Sequence, residues 1–464
     1  MLRLIAAKDL IEYLRDGRLY LAGGVVLVLL FTALGVGLER HAEVAAERVA
    51  AQGLDYDDWL AQPERHPHDA AHQGMHVFKP QSPLAILDPG IDPFVGSTVW
   101  LQAHRQSEIK FRPAQDATGL QRFGELSPAW VLQVLGPLVI IVLGFNAFAG
   151  EREQGTLRQT LSLGVSPVRL LWGKALALCG CVAMLLVPAA VVIGATMSAA
   201  NDFSASDTVA RFGWLTLGYG LYLGIAAFGV LAVSALASSS RVALVALLGI
   251  WIAGVTLVPR AASDFARVWY PSPSRLEFNT ALDSALGEAS ARAWQAEFGV
   301  TTRWGTDVPL DRWGQALQLD DNVSYPVVDA HFERLWGTFD RQQALQEWLG
   351  LAVPLLAIRA YSMGIAGTDF AHHREFSVAA ERQRRTIQDI VSEDLVEHAD
   401  ARGAGHFDYR APAELWAKVP RFEYRPPSVL WAVRENLLGL SVLAVTFAAA
   451  VALAHLAAVR RSRS

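Results

Sequence analysis

The sequence predicts an all-α integral membrane protein with six transmembrane helices and a mostly helical extracytoplasmic domain. Three observations carry that expectation. Hydrophobic residues fill 52% of the 464 positions and charged residues only 18%, with a mean hydropathy of +0.26. The apolar residues gather into blocks of about the 18–20 residues that a helix needs to cross a hydrocarbon core of roughly 30 Å. Two long segments between the blocks are charged and rich in aromatic residues. Backbone polar groups find no water partner in lipid, so each block must satisfy them internally as a helix.

Six blocks have spanning length: 19–38, 130–149, 175–197, 212–237, 242–258 and 437–459. Trp130, Trp172 and Trp431 fall near their ends, where indole rings favour the membrane interface. A seventh stretch, 349–367, is apolar but holds Pro354 and Arg359. Arginine in mid-span costs about 2.5–3.5 kcal/mol, so this stretch reads as an interfacial or buried helix. The distribution of positive charge agrees. Arg3, Lys8, Arg15 and Arg18, then Arg152, Arg158, Arg169 and Lys174, then Arg241, then Arg460, Arg461 and Arg463 share one side of a six-span chain. Short basic segments face the cytoplasm, which predicts that both termini are cytoplasmic. A seventh span would put the basic tail outside.

Residues 1–18 carry Leu2, Ile5, Leu10, Ile11 and Leu14 near helical spacing with charges between. That pattern fits an amphipathic helix on the cytoplasmic leaflet, with a plain polar leader as the alternative. The charged start and the length of the following apolar run are unlike a cleaved signal. The expected organisation is a surface helix at 1–18, a first span at 19–38 and an extracytoplasmic segment at 39–128. Spans two to five follow at 129–258 with a connector at 150–174, then a large extracytoplasmic domain at 259–436, then the sixth span and a basic cytoplasmic tail at 437–464.

Helical stretches are expected within the larger segment at 281–298, 330–348 and 369–395, bracketed by "YPSPS" at 270–274 and "YRPPS" at 424–428. Trp59 and Trp100 in the first segment, and Trp294, Trp304, Trp313, Trp336 and Trp348 in the second, carry apolar surface that is costly to leave wet at about 25 cal/mol per Å². The two segments are therefore expected to pack together.

The connector reads "EREQGTLRQTLSLGVSPVRLLWGK" from Glu151 to Lys174. Gly164 and Pro167 divide it into two helical pieces. The first, 152–163, has Leu157, Leu161 and Leu163 with polar residues opposite, a short amphipathic helix of the kind that docks into a groove on a partner. The plainer alternative is a solvated loop that only fixes topology. Glutamates at its N-terminal side suit the helix dipole.

Here the sequence resembles a known family. The connector is similar to the signature of ABC-transporter permeases of the second exporter class, where an acidic pair precedes Gly-Thr-Leu, followed by Ser-Pro and by Gly-Lys opening the third span. The matching residues are Glu151, Glu153, Gly155, Thr156, Leu157, Ser166, Pro167, Gly173 and Lys174, with Arg152 and Arg158 between them. "KDLIEYLRDGRLY", with Lys8, Asp9 and Arg15, resembles the family's elbow helix, and "GTDFAHHREF" at 367–376 resembles a subgroup with a large extracytoplasmic insert of unassigned function. The simplest members have short external loops, so this chain departs from them in size.

The resemblance implies a permease subunit of the bacterial cytoplasmic (inner) membrane, not an enzyme. Its connector would be a coupling helix seated on a cytosolic ABC ATPase, which carries the ATP and Mg. A second permease chain, as homodimer or related paralogue, and membrane lipid are the other implied partners. Two alternatives stand beside transport: a non-transport ABC subunit passing mechanical force to a periplasmic partner, and an ATPase-independent scaffold or receptor.

The residues exclude several other chemistries. Forty basic against 45 acidic residues give a net charge of −5, and nothing points to nucleic acid. A P-loop is missing, since Val168 stands where GxxxxGK requires its first glycine and Ala175 follows the lysine. Neither GxSxG nor HExxH occurs. The only cysteines, Cys179 and Cys181, lie inside an apolar run and read as small apolar residues. "HPHDAAHQGMH" places His66, His68, His72 and His76 together. The last three would align on a helix as candidate copper or zinc ligands. Pro67 and Gly74 argue against a regular helix, so a solvated loop without metal is the expectation. His372 and His373 are adjacent and read as packed inside the domain. Charged residues are nearly absent from the spans, which argues against proton-coupled transport.

Overall fold

The computed structural model describes residues 1–104, 106, 126–196, 204–300 and 308–461. Met197, Trp304 and Arg463 lie outside them. The protein is an all-α membrane protein, and among the described residues six helices are long and apolar enough to cross a membrane. They are α2 (Arg18–Leu60), α4 (Pro128–Glu153), α6 (Pro167–Thr196), α7 (Ala205–Leu236), α8 (Ser240–Trp269) and α14 (Leu437–Arg461). The N-terminal stretch forms helix α1 (Leu2–Arg15), and α5 (Thr156–Ser162) lies in the connector.

The helices overrun their predicted ends. No breaker follows residue 38, so α2 continues unbroken for 43 residues, about 65 Å at 1.5 Å per residue. Only about half of that length fits in the hydrocarbon core, and the charged half stands clear of it. Similarly α8 runs past Pro259 to Trp269, because a π-helical turn at Ala253–Leu257 absorbs the register change and leaves Pro259 in the first turn of the next α-helical stretch.

Beyond the spans the chain builds a head. Its main helices are α9 (Arg275–Phe298), α10 (Trp313–Leu349), α11 (Pro354–Ala366) and α12 (Phe370–Asp394), with α13 (Val429–Glu435) leading into α14. The "YPSPS" punctuation ends in Ser274, which caps α9 in a capping box with Glu277. Helix α10 begins well before the predicted 330 and carries Pro326 in its interior. Residues 59–103 contribute a short helix, α3 (Pro67–Gln73), and the antiparallel strands β1 (Met75–Phe78) and β2 (Thr98–Leu101), paired Met75 to Leu101 and Phe78 to Thr98.

The two long segments between the spans share one core. Trp59, Met75, Val77 and Leu101 from the first pack with Phe376, Ile387, Leu415 and Trp416 from the second. Hydrogen bonds run along one face of α2. Gln52 Nε2 donates to the Phe422 carbonyl at 3.1 Å, Tyr56 Oη to Val419 at 3.1 Å and Trp59 Nε1 to Trp416 at 3.0 Å. Spacings of four and three residues keep those donors on one helical face.

The apolar stretch containing Arg359 is α11, a buried helix of 13 residues, about 20 Å long and too short to span. It is wedged against α7 and α14. Tyr361 fits against Gly218, where a side chain would collide with its ring, and donates its hydroxyl to the Trp214 carbonyl at 2.9 Å. Arg211, near the start of α7, donates to the carbonyls of Ile365 at 3.0 Å and Pro427 at 2.5 Å and pairs with Asp207 at 2.7 Å. Asp207 in turn accepts from the Val429 amide at 2.7 Å. The head is thereby tied to the ends of two spans.

Candidate coupling site

At the opposite end from the head, the connector joins α4 to α6. Its predicted first helix is not continuous. Gly155 adopts a left-handed conformation (φ +75°) that breaks 152–163 after Glu153, so the acidic pair ends α4 and only Thr156–Ser162 forms α5. The cap of α5 is Gly155. Thr156 is its first residue and donates its hydroxyl to the Glu151 carbonyl at 3.2 Å. Gly164 (φ +84°) ends the connector helix as expected. Ser166 then accepts from the Arg169 amide at 3.3 Å and Pro167 opens α6, a serine cap followed by proline in the first turn.

The triplet Glu151-Arg152-Glu153 reaches four different elements. Glu151 Oε1 accepts from Lys174 Nζ at 2.8 Å and from Lys8 Nζ at 3.3 Å. Arg152 donates to the carbonyls of Ala235 and Ala237, both at 2.7 Å, at the C-terminus of α7. Glu153 accepts from the amide and hydroxyl of Ser240, at 3.1 and 2.6 Å, at the N-terminus of α8. Arg152 and Glu153 therefore each meet the helix end whose dipole they complement. Glu151 takes two lysines as partners and Glu153 a serine.

Lys174 is the centre of this network. It is buried, contacts Asp9 Oδ2 at 3.2 Å as well as Glu151, and lies over the Phe148 ring at 5.5 Å. Asp9 is buried too, on the inner face of α1. Burial pulls the Lys8 ammonium down, but Glu151, Asp9 and Glu12 more than offset it and hold the group above the usual lysine range. Gly173 is the close-approach point of the two helices. A Cβ there would stand 2.5 Å from Ile5 Cγ2. The matched residues Asp9, Glu151, Gly173 and Lys174 are thus brought together as the joint between α1, α4 and α6.

Leu157 and Leu161 line a narrow crevice with Phe148, Leu170, Ala235 and Ala458, which seats α5 on the bundle. Its other face is bare. Gln154, Arg158, Gln159, Ser162 and Leu163 are exposed, Leu163 at 81%, and Arg158 has no ion-pair partner among the described residues. Arg15, at the last turn of α1, is likewise exposed.

The sequence reading missed the receiving ends of these bonds. Ser234 Oγ accepts from the Phe148 and Ala149 amides at 3.0 and 3.2 Å, and Ser239 caps α8. The run "ASSSR" at 237–241 was the available signal, since serine before an apolar block marks a helix start.

A second feature lies where the bundle meets the head, a cavity of about 660 Å³. Its polar lining includes Gln133 from α4, Gln342, Gln346 and Glu347 from α10, and Arg359 from α11. Burial pushes the Glu347 carboxyl up, opposed by the Gln343 amide that donates to it at 2.8 Å.

The sequence was also compared with known proteins. Residues 3–283 match the family described as ABC-2 family transporter protein, and residues 274–425 match a domain of unknown function (DUF3526). No curated protein matches the chain. The first match covers more than half of the 464 residues and includes α1, the connector and the first five spans. The chain therefore belongs to the ABC-2 family of transporter proteins, as a multi-pass membrane permease subunit that works with an ABC ATPase.

Proposed function

We propose that this permease moves a substrate out of the bacterial cytoplasm across the inner membrane, driven by ATP and Mg on a separate cytosolic ATPase, with α5 as the coupling helix. The observation that carries the reading is that each charged side chain at 151–153 is bonded to another element of the bundle. These side chains fix the connector to α1, α6, α7 and α8 and leave a polar face with one exposed leucine for a partner. Load applied to that face reaches four elements of the bundle at once. Both termini are then cytoplasmic and the head is extracytoplasmic. Exposed Val245, Ile250 and Leu257 on α8 would be covered by lipid or by a second permease chain. The cavity beneath the head has the size and mixed lining of a small-ligand site.

A second reading has its own support. Arg211 and Asp207 tie α7 to the head, so a motion of the bundle would also move the head. That arrangement suits a subunit acting mechanically on a periplasmic partner. The test is ATP hydrolysis by the reconstituted complex of this chain with its ATPase. Stimulation by a small molecule supports transport, and stimulation only by a periplasmic protein supports the mechanical role. Failure of any ATPase to copurify would leave a scaffold and contradict both.

A further inference from the structure

The histidine-rich run of the head folds differently from its expected form. Pro67 does not prevent a helix, because it occupies the first turn of α3 where no intrahelical N–H is needed. His68 and His72, four residues apart, lie on one face of it. Gly74 then ends the helix. Its φ is +60°, and a Cβ there would run into the Leu101 carbonyl. This turn throws His76 onto β1 and away from the other two. His76 pairs instead with Asp55, Nδ1 to Oδ1 at 2.8 Å.

The pairing of β1 with β2 supplies a different third imidazole. Just beyond β2, the Ala103 amide donates to the Ala71 carbonyl of α3 at 3.0 Å. That bond lays His104 over the helix. Ring centroids are 4.6 Å apart for His68 and His72, 5.0 Å for His68 and His104, and 4.9 Å for His72 and His104. One ligand nitrogen from each lies within 4.8 Å of the others, and the two Nε2 atoms of His68 and His72 are 3.1 Å apart.

We propose that His68, His72 and His104 form a site for one divalent transition-metal ion, Zn²⁺ or Cu²⁺, on the head. Three ligand nitrogens around zinc at about 2.0–2.1 Å stand about 3.3 Å from one another. The His68–His72 spacing is already close to this, and His104 needs only a small approach. A donor set of imidazoles alone selects zinc or copper over magnesium, calcium or manganese, which take oxygen ligands. His72 is exposed, and that side leaves the fourth coordination position to water or to an incoming ligand. Three protein ligands with one open position mark an exchangeable or reactive site rather than a closed structural one.

The experiment is calorimetric titration of the purified, tag-free protein with Zn²⁺ and with Cu²⁺. One ion per chain is expected. Substitution of His68→Gln or His104→Gln should weaken binding at least tenfold, while His76→Gln should leave it unchanged. Equal weakening by His76→Gln, or no weakening by His104→Gln, overturns the assignment. Copper EPR of the unsubstituted protein reads the donor set without relying on any variant to fold. Three imidazole nitrogens support the site, and one or none contradicts it.

Discussion

The connector end and the head are held to the same bundle by different means. At the connector, Asp9, Glu151, Arg152, Glu153 and Lys174 each take a charged or capping partner on a neighbouring element. In the head, three donors on one face of α2 meet consecutive turns of the 416–422 segment over an aromatic core. Ion pairs fix geometry at a surface where little apolar area can be buried. The head has enough tryptophan, phenylalanine and leucine to rely on packing. The contrast assigns separate roles to residues that look alike in the sequence. Within 151–174 the glutamates, Arg152 and Lys174 are fasteners, while Gln154, Arg158, Gln159 and Leu163 are the surface.

The largest effect is expected in the head. Trp59 is 1% exposed and its indole holds the Trp416 carbonyl. Trp59→Ala should cost about 3–5 kcal/mol and raise hydrogen exchange across 52–60 and 415–422 together. Exchange that rises in only one of the two would show that the segments are separate modules.

At the connector, Lys174→Met leaves buried Asp9 facing Glu151. Breaking a buried pair costs about 3–5 kcal/mol, and the lower end applies because Lys8 remains within 3.5 Å of both carboxylates. Added Asp9→Asn and Glu151→Gln should restore most of the lost thermal stability. Failure to restore it would mean that Lys174 acts through its contact with Phe148 rather than through charge. A smaller effect follows at the helix crossing. Gly173→Ala forces Ile5 to move and should cost about 1–3 kcal/mol, seen as faster exchange in α1 and no change in the head.

These differences also explain what could be read in advance. The six spans follow from apolar blocks, and the end of the connector helix from Gly164 and Pro167. Both signals are local. The break at Gly155 was missed because glycine is tolerated within a helical pattern, and only its positive φ shows the turn. The extensions of α2 to Leu60, of α8 beyond Pro259 and of α10 through Pro326 were missed because polar, head-facing turns lack the hydropathy that marked the spans. His104 had no local signal at all. Its place beside His68 and His72 depends on strand pairing across more than 20 residues. In the same way, the connector motif was visible while its partners Ser234 and Ser240, about 85 residues away, were not.

The central claim is that fasteners and docking surface are distinct sets of residues. It is tested most directly by the amount of ABC ATPase that copurifies with two variants, read alongside ATP hydrolysis. Arg158→Glu with Leu163→Asp changes only exposed side chains and should remove the ATPase from an otherwise stable permease. Glu153→Lys disrupts the bond to Ser240 and should keep the ATPase bound while abolishing its stimulation. The opposite pattern, with the ATPase retained by the double variant and lost from Glu153→Lys, would contradict the account.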